Sequence, residues 1–309
     1  MNPTNFHPVK FRKNSEVDLT GATISSNSTI APNPVKLLLT LLLITSFIVV
    51  FLPVWKNLIH AWSSSEEYSH GFFIIPICIY IIWQKKDRLS QIPPIPSRWG
   101  LLVVIFSLLL YLFAYFAEIS TVTSFSMVPA ACGILLYLYG FEITRLLLFP
   151  LFLLLFMIPV PAQVFSTLTV PLQLVVSASS TFLASLLDIP IYREGNVLHL
   201  PEKTLAVVHA CSGLRSLISI ITLSVVYGYF TLNSNLLRCV LVFSGIPAAI
   251  LVNILRVLIM VLSFYYFNYD LTTGSVHTVF GVFIFFLAIL FIVFIKGIIS
   301  RWGRSPIPE

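Results

Sequence analysis

Charge is the scarcest thing in this chain. Asp, Glu, Lys and Arg make up 10% of its 309 residues, where a soluble domain carries roughly a quarter. With 58% of residues hydrophobic and a mean hydropathy of +0.96, that scarcity excludes an ordinary water-soluble fold. Cysteine is sparse as well. Cys78, Cys132, Cys211 and Cys239 make no CxxC pair and no Cys/His ligand spacing, so neither a zinc site nor a disulfide framework is expected. Three of them, Cys78, Cys132 and Cys239, lie in apolar runs, where a free thiol behaves as a small hydrophobe. No metal or organic cofactor is implied. A net charge of +6 makes no nucleic-acid patch either, because the basic residues sit in short loops and tails and read as a topology signal.

Long apolar runs fill most of the rest. They fall near 37–55, 71–84, 100–117, 121–140, 143–160, 208–230, 237–266 and 278–297, and a helix needs about 20 such residues to cross a bilayer. The second run is short and the seventh exceeds a span. The fold class expected is an all-α polytopic membrane protein with about eight transmembrane helices. Residues 1–36 are polar, rich in Ser, Thr, Asn and Pro, and lack an apolar core. They read as a disordered cytoplasmic tail rather than a signal peptide. A transmembrane domain is expected over 37–300 and a second cytoplasmic tail over 301–309.

The stretch 161–205 is ambiguous. Residues 164–187 are apolar but carry many Ser and Thr, which suits a ninth span, a re-entrant segment or an interfacial helix. Residues 188–207 read as a small extended or hairpin region, with Gly195-Asn196 at the turn and short strands near 197–200 and 204–208. Parity follows from the basic residues. If 161–205 stays outside and the chain starts inside, then Lys10, Arg12, Lys13, Lys36, Lys85, Lys86, Arg88, Arg98, Arg145, Arg238, Lys296, Arg301 and Arg304 are cytoplasmic, 13 of the 18. Lys56, Arg193 and Lys203 are then outside, and Arg215 and Arg256 lie within spans. That distribution obeys the positive-inside rule. A ninth span would break it in the C-terminal half.

Chemistry concentrates in a few places. In His209-Ala-Cys211-Ser212-Gly213-Leu-Arg215-Ser216 a lone thiol sits where an extended stretch turns into a membrane helix. Unpaired N–H groups and the helix dipole favour a thiolate there, and the small residues Ser212 and Gly213 leave room for a substrate backbone. Cys211 is the candidate nucleophile. Arg256, inside an apolar helix, costs at least ~2.5–3.5 kcal/mol to bury in a bilayer. It is either a snorkelling or helix-pairing residue, or a fixed donor for an oxyanion or a carboxylate. Asn253 shares its helical face. His277 opens the last span after the polar loop 268–275, and it is either an interfacial residue or an acid/base. Imidazole ordinarily titrates near neutrality, which suits both directions of proton transfer. A nucleophile, a proton shuttle and an anion stabiliser make the inventory for acyl transfer through a thioester.

These residues resemble a known family. Val208-His-Ala-Cys-Ser-Gly-Leu-Arg-Ser216, then Asn253-x-x-Arg256-Val257, then an isolated His277 before the last span, look like the exosortase/archaeosortase pattern in order and spacing. Tyr68-Ser-His-Gly71 and Arg193-Glu-Gly-Asn196 also resemble it. The likeness runs from about residue 40 to 297, and the cysteine segment is its most specific part. It implies a bacterial cysteine protease of the transpeptidase kind, multi-pass in the cytoplasmic membrane with its active site on the outer side. Its substrates would be membrane-anchored proteins with a C-terminal sorting signal: a short motif such as Pro-Glu-Pro, one transmembrane helix and a basic end. The family's proposed catalytic Cys, Arg and His match Cys211, Arg256 and His277. The link to exopolysaccharide and biofilm systems also comes from the family.

One departure stands out. Many members carry Glu two positions before the cysteine, where this chain has His209. That imidazole is a neighbour or tuner of the thiol, with His277 preferred as base. His70 lines an outer entrance or caps the second span. Arg215, one turn after Cys211, lowers the thiol pKa, holds a carboxylate such as Glu194 or Glu202, or anchors the helix at headgroups. The competing readings are a transporter or polysaccharide-export component, with Arg256 and Asn253 on a translocation path, and an envelope scaffold. The lipid bilayer is a partner in all three.

Overall fold

The computed structural model describes residues 34–65, 68–207, 214–272 and 274–302. The chain divides at Phe51. Before it lies the apolar helix α1 (Pro34–Val50). The expected tail therefore falls outside the described residues, except for residues 34–36, which open α1.

From Phe51 onward the chain is helical almost throughout. The order is α2 (Leu52–Ser64), α3 (Gly71–Gln84), α4 (Lys86–Gln91), α5 (Trp99–Phe116), α6 (Ser120–Tyr139), α7 (Phe141–Leu146) and α8 (Leu148–Leu153). A 3₁₀ turn at Leu154–Met157 leads to α9 (Ala162–Ser185). Three short strands follow, β1 (Tyr192–Glu194), β2 (Val197–His199) and β3 (Thr204–Ala206), then α10 (Leu214–Thr231), α11 (Asn235–Phe267) and α12 (Gly274–Trp302). The all-α membrane class holds. Among the described residues, five helices are long and apolar enough to cross a bilayer (α5, α6, α9, α11 and α12), or six if Thr40–Val50 and Leu52–Ser64 count together. The helices Gly71–Gln84, Leu148–Met157 and Leu217–Thr231 are apolar but shorter, so the count of eight is not reached by length alone.

Two stretches differ from simple spans. The run at 143–160 is broken into α7, α8 and the 3₁₀ turn. Pro150 causes the first break, because its ring has no N–H and crowds the carbonyl four residues back. That carbonyl, on Leu146, takes a bond from Lys85 Nζ at 2.6 Å instead. The rest of the irregular backbone is met in the same way. Phe156 O is 3.1 Å from His70 Nε2, Met157 O accepts from Trp62 Nε1 at 2.9 Å, and Pro159 O accepts from the Thr121 hydroxyl at 3.2 Å. Without water, backbone freed from a helix must find such donors. The other stretch, 164–187, is one continuous helix, α9, as far as Ser185. Its buried face is small and polar (Thr169, Gln173, Ser177, Ser180), while Leu168, Val175 and Phe182 are exposed.

The hairpin region forms as expected. β1, β2 and β3 make an antiparallel meander in sequence order, with Glu194 opposite Val197 and Leu198 opposite Leu205. Gly195, at φ +60°, takes the first position of the two-residue loop, where a tight II′ hairpin calls for glycine. Leu198, Leu200, Leu205 and Val207 bury against Val176 and Ala184 of α9 and Val257, Met260 and Val261 of α11. The sheet is thereby seated on α11, the helix that carries Arg256. Burial of this cluster leaves the two antiparallel pairings little freedom to slip, since a one-residue shift would turn Leu198 outward.

Candidate active site

The first turns of α3 and α12 and the middle of α10 meet around one cleft of about 460 Å³. Ser69 and His70 stand at the start of α3, with Phe73, Ile74 and Ile77 following on the same face. From α10 come Ser219, Thr222, Leu223 and Val226, and from α12 His277, Thr278, Gly281, Val282 and Phe285. Each helix contributes polar groups first and apolar groups further along. The cleft therefore has a polar end and a greasy end, and Arg256 of α11 reaches the polar one.

Arg256 is 8% exposed, and its Nη2 lies 3.3 Å from His277 Nε2. The other ring nitrogen, Nδ1, lies 3.1 Å from the Leu271 carbonyl. A guanidinium has no acceptor and a carbonyl no donor. Both contacts are met at once by the tautomer with its proton on Nδ1, donating to Leu271 O while Nε2 accepts from Arg256. Among the described residues Arg256 Nε has no partner. Gly281, one turn along α12 from His277, borders Arg256: a Cβ there would stand 3.6 Å from Nη2, an ordinary van der Waals contact.

Asn253 is 3% exposed, and neither of its side-chain polar atoms has a partner among the described residues. A buried amide left unsatisfied costs about 1–3 kcal/mol, and this one sits on α11 one turn from Arg256. His70 is half-buried beside the cleft, tied to the broken segment through Phe156 O. Gly71 explains the end of the Tyr68-Ser-His-Gly71 motif. A Cβ there would fall 2.3 Å from Trp62 Nε1, so only glycine lets α3 start against the indole and set His70 at the cleft.

The structure thus brings together Arg256 and His277, with His70 lining the same cleft and Asn253 one turn along α11 from Arg256. His209, Cys211, Ser212 and Gly213 lie outside the described residues. Arg215 falls in the first turn of α10, its side chain likewise outside what is described. Among the described residues no group of His, Cys, Asp and Glu could hold a metal. Cys78 is buried and donates to Pro150 O at 3.3 Å, in keeping with a packing role.

Sequence reasoning missed Thr278, Gly281, Ser219 and Thr222 as cleft residues. For Gly281 a signal existed, since i+4 from His277 lies on the same helix face. Ser219 and Thr222 look like any small polar residues in an apolar helix. It also missed Asp270. This carboxylate accepts from the Thr272 amide at 2.8 Å and its hydroxyl at 2.6 Å, and pairs with Lys203. Partial burial raises the Asp270 pKa, but the bonds from Lys203 and Thr272 outweigh that and bring it from 3.8 down to about 2.

Among comparisons with known proteins, no curated protein and no solved structure matches the chain. A family model described as transmembrane exosortase matches residues 62–294. That range takes in α3 with His70, the sheet, all of α10 and α11, and α12 as far as residue 294, so it contains every wall of the cleft. The chain belongs to the transmembrane exosortase family.

Proposed function

We propose that the chain is a membrane-embedded cysteine transpeptidase that cleaves C-terminal sorting signals of the Pro-Glu-Pro type from exported, membrane-anchored proteins. Family membership supports a sorting role in general terms. The observation that carries the specific reading is the contact of Arg256 with His277 at the polar end of an apolar cleft. A fixed cation beside a neutral imidazole, in a low-dielectric site, suits acyl transfer better than packing.

In this reading the substrate's scissile carbonyl enters at the polar end. His277 Nε2 takes the proton of the Cys211 thiol as sulfur attacks the carbonyl carbon. Arg256 turns from Nε2 to the oxyanion. That exchange is needed, because a proton on Nε2 would otherwise face the guanidinium at 3.3 Å. Collapse of the tetrahedral intermediate breaks the C–N bond, and His277 returns its proton to the leaving amine. An amine, hydroxyl or water then attacks the thioester, forms the new acyl bond and releases the thiol. His209 and Arg215 tune the thiol, and His70 shapes the entrance.

The active site is placed on the outer side of a bacterial cytoplasmic membrane, in an exopolysaccharide-linked system, with residues 1–36 and 301–309 inside. Two observations support the sidedness. At the ends of α3 and α10 away from the cleft, Lys85 and Arg238 both stack on the Tyr229 ring, which gathers basic charge there. And the Gly195 carbonyl accepts from Ser177, near the middle of α9, and from the Arg193 guanidinium at 2.8 Å. A transbilayer α9 would hold that charge at the bilayer midplane, where it is costly. This favours keeping 161–205 on one side.

The test is co-expression with a substrate bearing such a signal, followed by gel shift and mass analysis of the substrate's C-terminus. Wild type is expected to trim it. Cys211→Ala, Arg256→Ala and His277→Ala are expected not to. Equal trimming by Cys211→Ala would remove the nucleophile from this account. No trimming by any form would favour a transporter.

A further inference from the structure

The loop between α11 and α12 is tied at every residue from Asn268 to Thr272. Asn268 ends α11 in the left-handed conformation, with its amide bonded to Phe264 O. Such a cap stops a helix and aims the chain after it. Ser263 Oγ bonds Tyr269 O at 3.1 Å, and the Tyr269 amide bonds Ser263 O at 3.2 Å. Asp270 then folds the chain back on itself through Thr272. Leu271 lies between these two, and its carbonyl is the one that meets His277 Nδ1. The carboxylate is anchored from outside the loop by Lys203, whose ammonium also sits 5.1 Å from the Phe264 ring on α11. Lys203 immediately precedes β3, the strand whose far end leads towards residue 208.

We propose that Asp270, anchored by Lys203, is a positioning residue that fixes His277 in its Nδ1–H form by holding the Leu271 carbonyl against the ring. The hydrogen bond at one imidazole nitrogen sets which tautomer is present, and only the Nδ1–H form leaves Nε2 free to accept a proton. This inference rests on the reading of His277 as the base. It adds that the sheet and the base's loop are joined by one ion pair, so that Lys203 and Asp270 hold β3 and the base in register. A plain structural staple would also stabilise the loop, but would not select a ring tautomer.

The experiment uses the full chain in detergent micelles with ¹⁵N-labelled histidine, His277 being assigned by the signals missing from His277→Gln. Wild type is expected to show a protonated Nδ1 and an unprotonated Nε2. Asp270→Ala, and the milder Lys203→Met, are expected to mix in the Nε2–H form, while Lys203→Arg retains the wild-type spectrum. In the trimming assay Asp270→Asn is expected to lower turnover about tenfold or more with KM little changed. A wild-type tautomer in folded Asp270→Ala, or an Nε2–H ring in wild type, overturns the inference. If His277→Ala trims like wild type, the base assignment fails and this inference with it. If His277→Ala is inactive while Asp270→Asn keeps both full turnover and the wild-type spectrum, this inference alone fails.

Discussion

At the scale of single residues, the site is a set of polar groups that a membrane helix would discard unless they were used. Among the described residues, Arg256 has one nitrogen on His277 and another without a partner, and Asn253 has neither end satisfied. Two expectations follow from that imbalance. Arg256→Lys keeps the charge but loses the planar fork, and trimming should fall about 10²–10³-fold, the usual loss for one oxyanion donor. A rate within a factor of two of wild type would confine Arg256 to packing. Asn253→Leu removes a buried amide that has no partner among the described residues, so resistance to unfolding should rise by about 1–3 kcal/mol while trimming slows. A less stable Asn253→Leu would mean that the amide has a structural partner. Arg256, Asn253 and His277 were legible in the sequence because a charged or amide group in an apolar run is conspicuous. Asp270 was not. A carboxylate in a polar loop looks solvated, and only the fold brings Lys203, 67 positions away, against it.

At the scale of elements, the site depends on where helices begin and break. The start of α3 is set by Gly71 against Trp62, whose indole also bonds Met157 O. Gly71→Val should therefore push α3 away and cost about 1–3 kcal/mol, with loss of trimming. Thermal unfolding and trimming unchanged from wild type would show that the contact yields easily. The loop clamp makes a pH-dependent expectation. The Asp270 carboxyl is held at about 2 against 3.8, a lowered pKa facing Lys203 from the sheet and Thr272 from its own loop. Its stabilising contribution is then complete above 3.8 and lost as the pH falls towards about 2. The difference in unfolding midpoint between wild type and Asp270→Asn should be constant near neutrality and close only in that acid window. A difference that closed near neutral pH would point to another group. The hairpin could be read in advance from Gly195-Asn196 and alternating apolar residues, because β2 and β3 obey local rules. The break in 143–160 could not, because hydropathy ignores how Pro150 frees Leu146 O for Lys85.

At the scale of the whole molecule, the membrane class follows from composition alone, and the arrangement of spans does not. A run of apolar residues fixes that a segment is buried, but not whether it crosses, returns or lies along the interface. α9 is 24 residues long, yet the charged hairpin turn packs near its middle. Single cysteines placed at Ser69 and at Lys86 in a background without other cysteines should react with an impermeant maleimide from opposite faces of the membrane. Labelling of both from one face would overturn the sidedness proposed for the cleft. The central claim is a thioester at Cys211, served by Arg256 and His277. The most direct measurement adds hydroxylamine during substrate processing and weighs the substrate's new C-terminus. The account expects a hydroxamate with wild type and none with Cys211→Ala. A trimmed substrate with no hydroxamate, produced equally by Cys211→Ala, would contradict it.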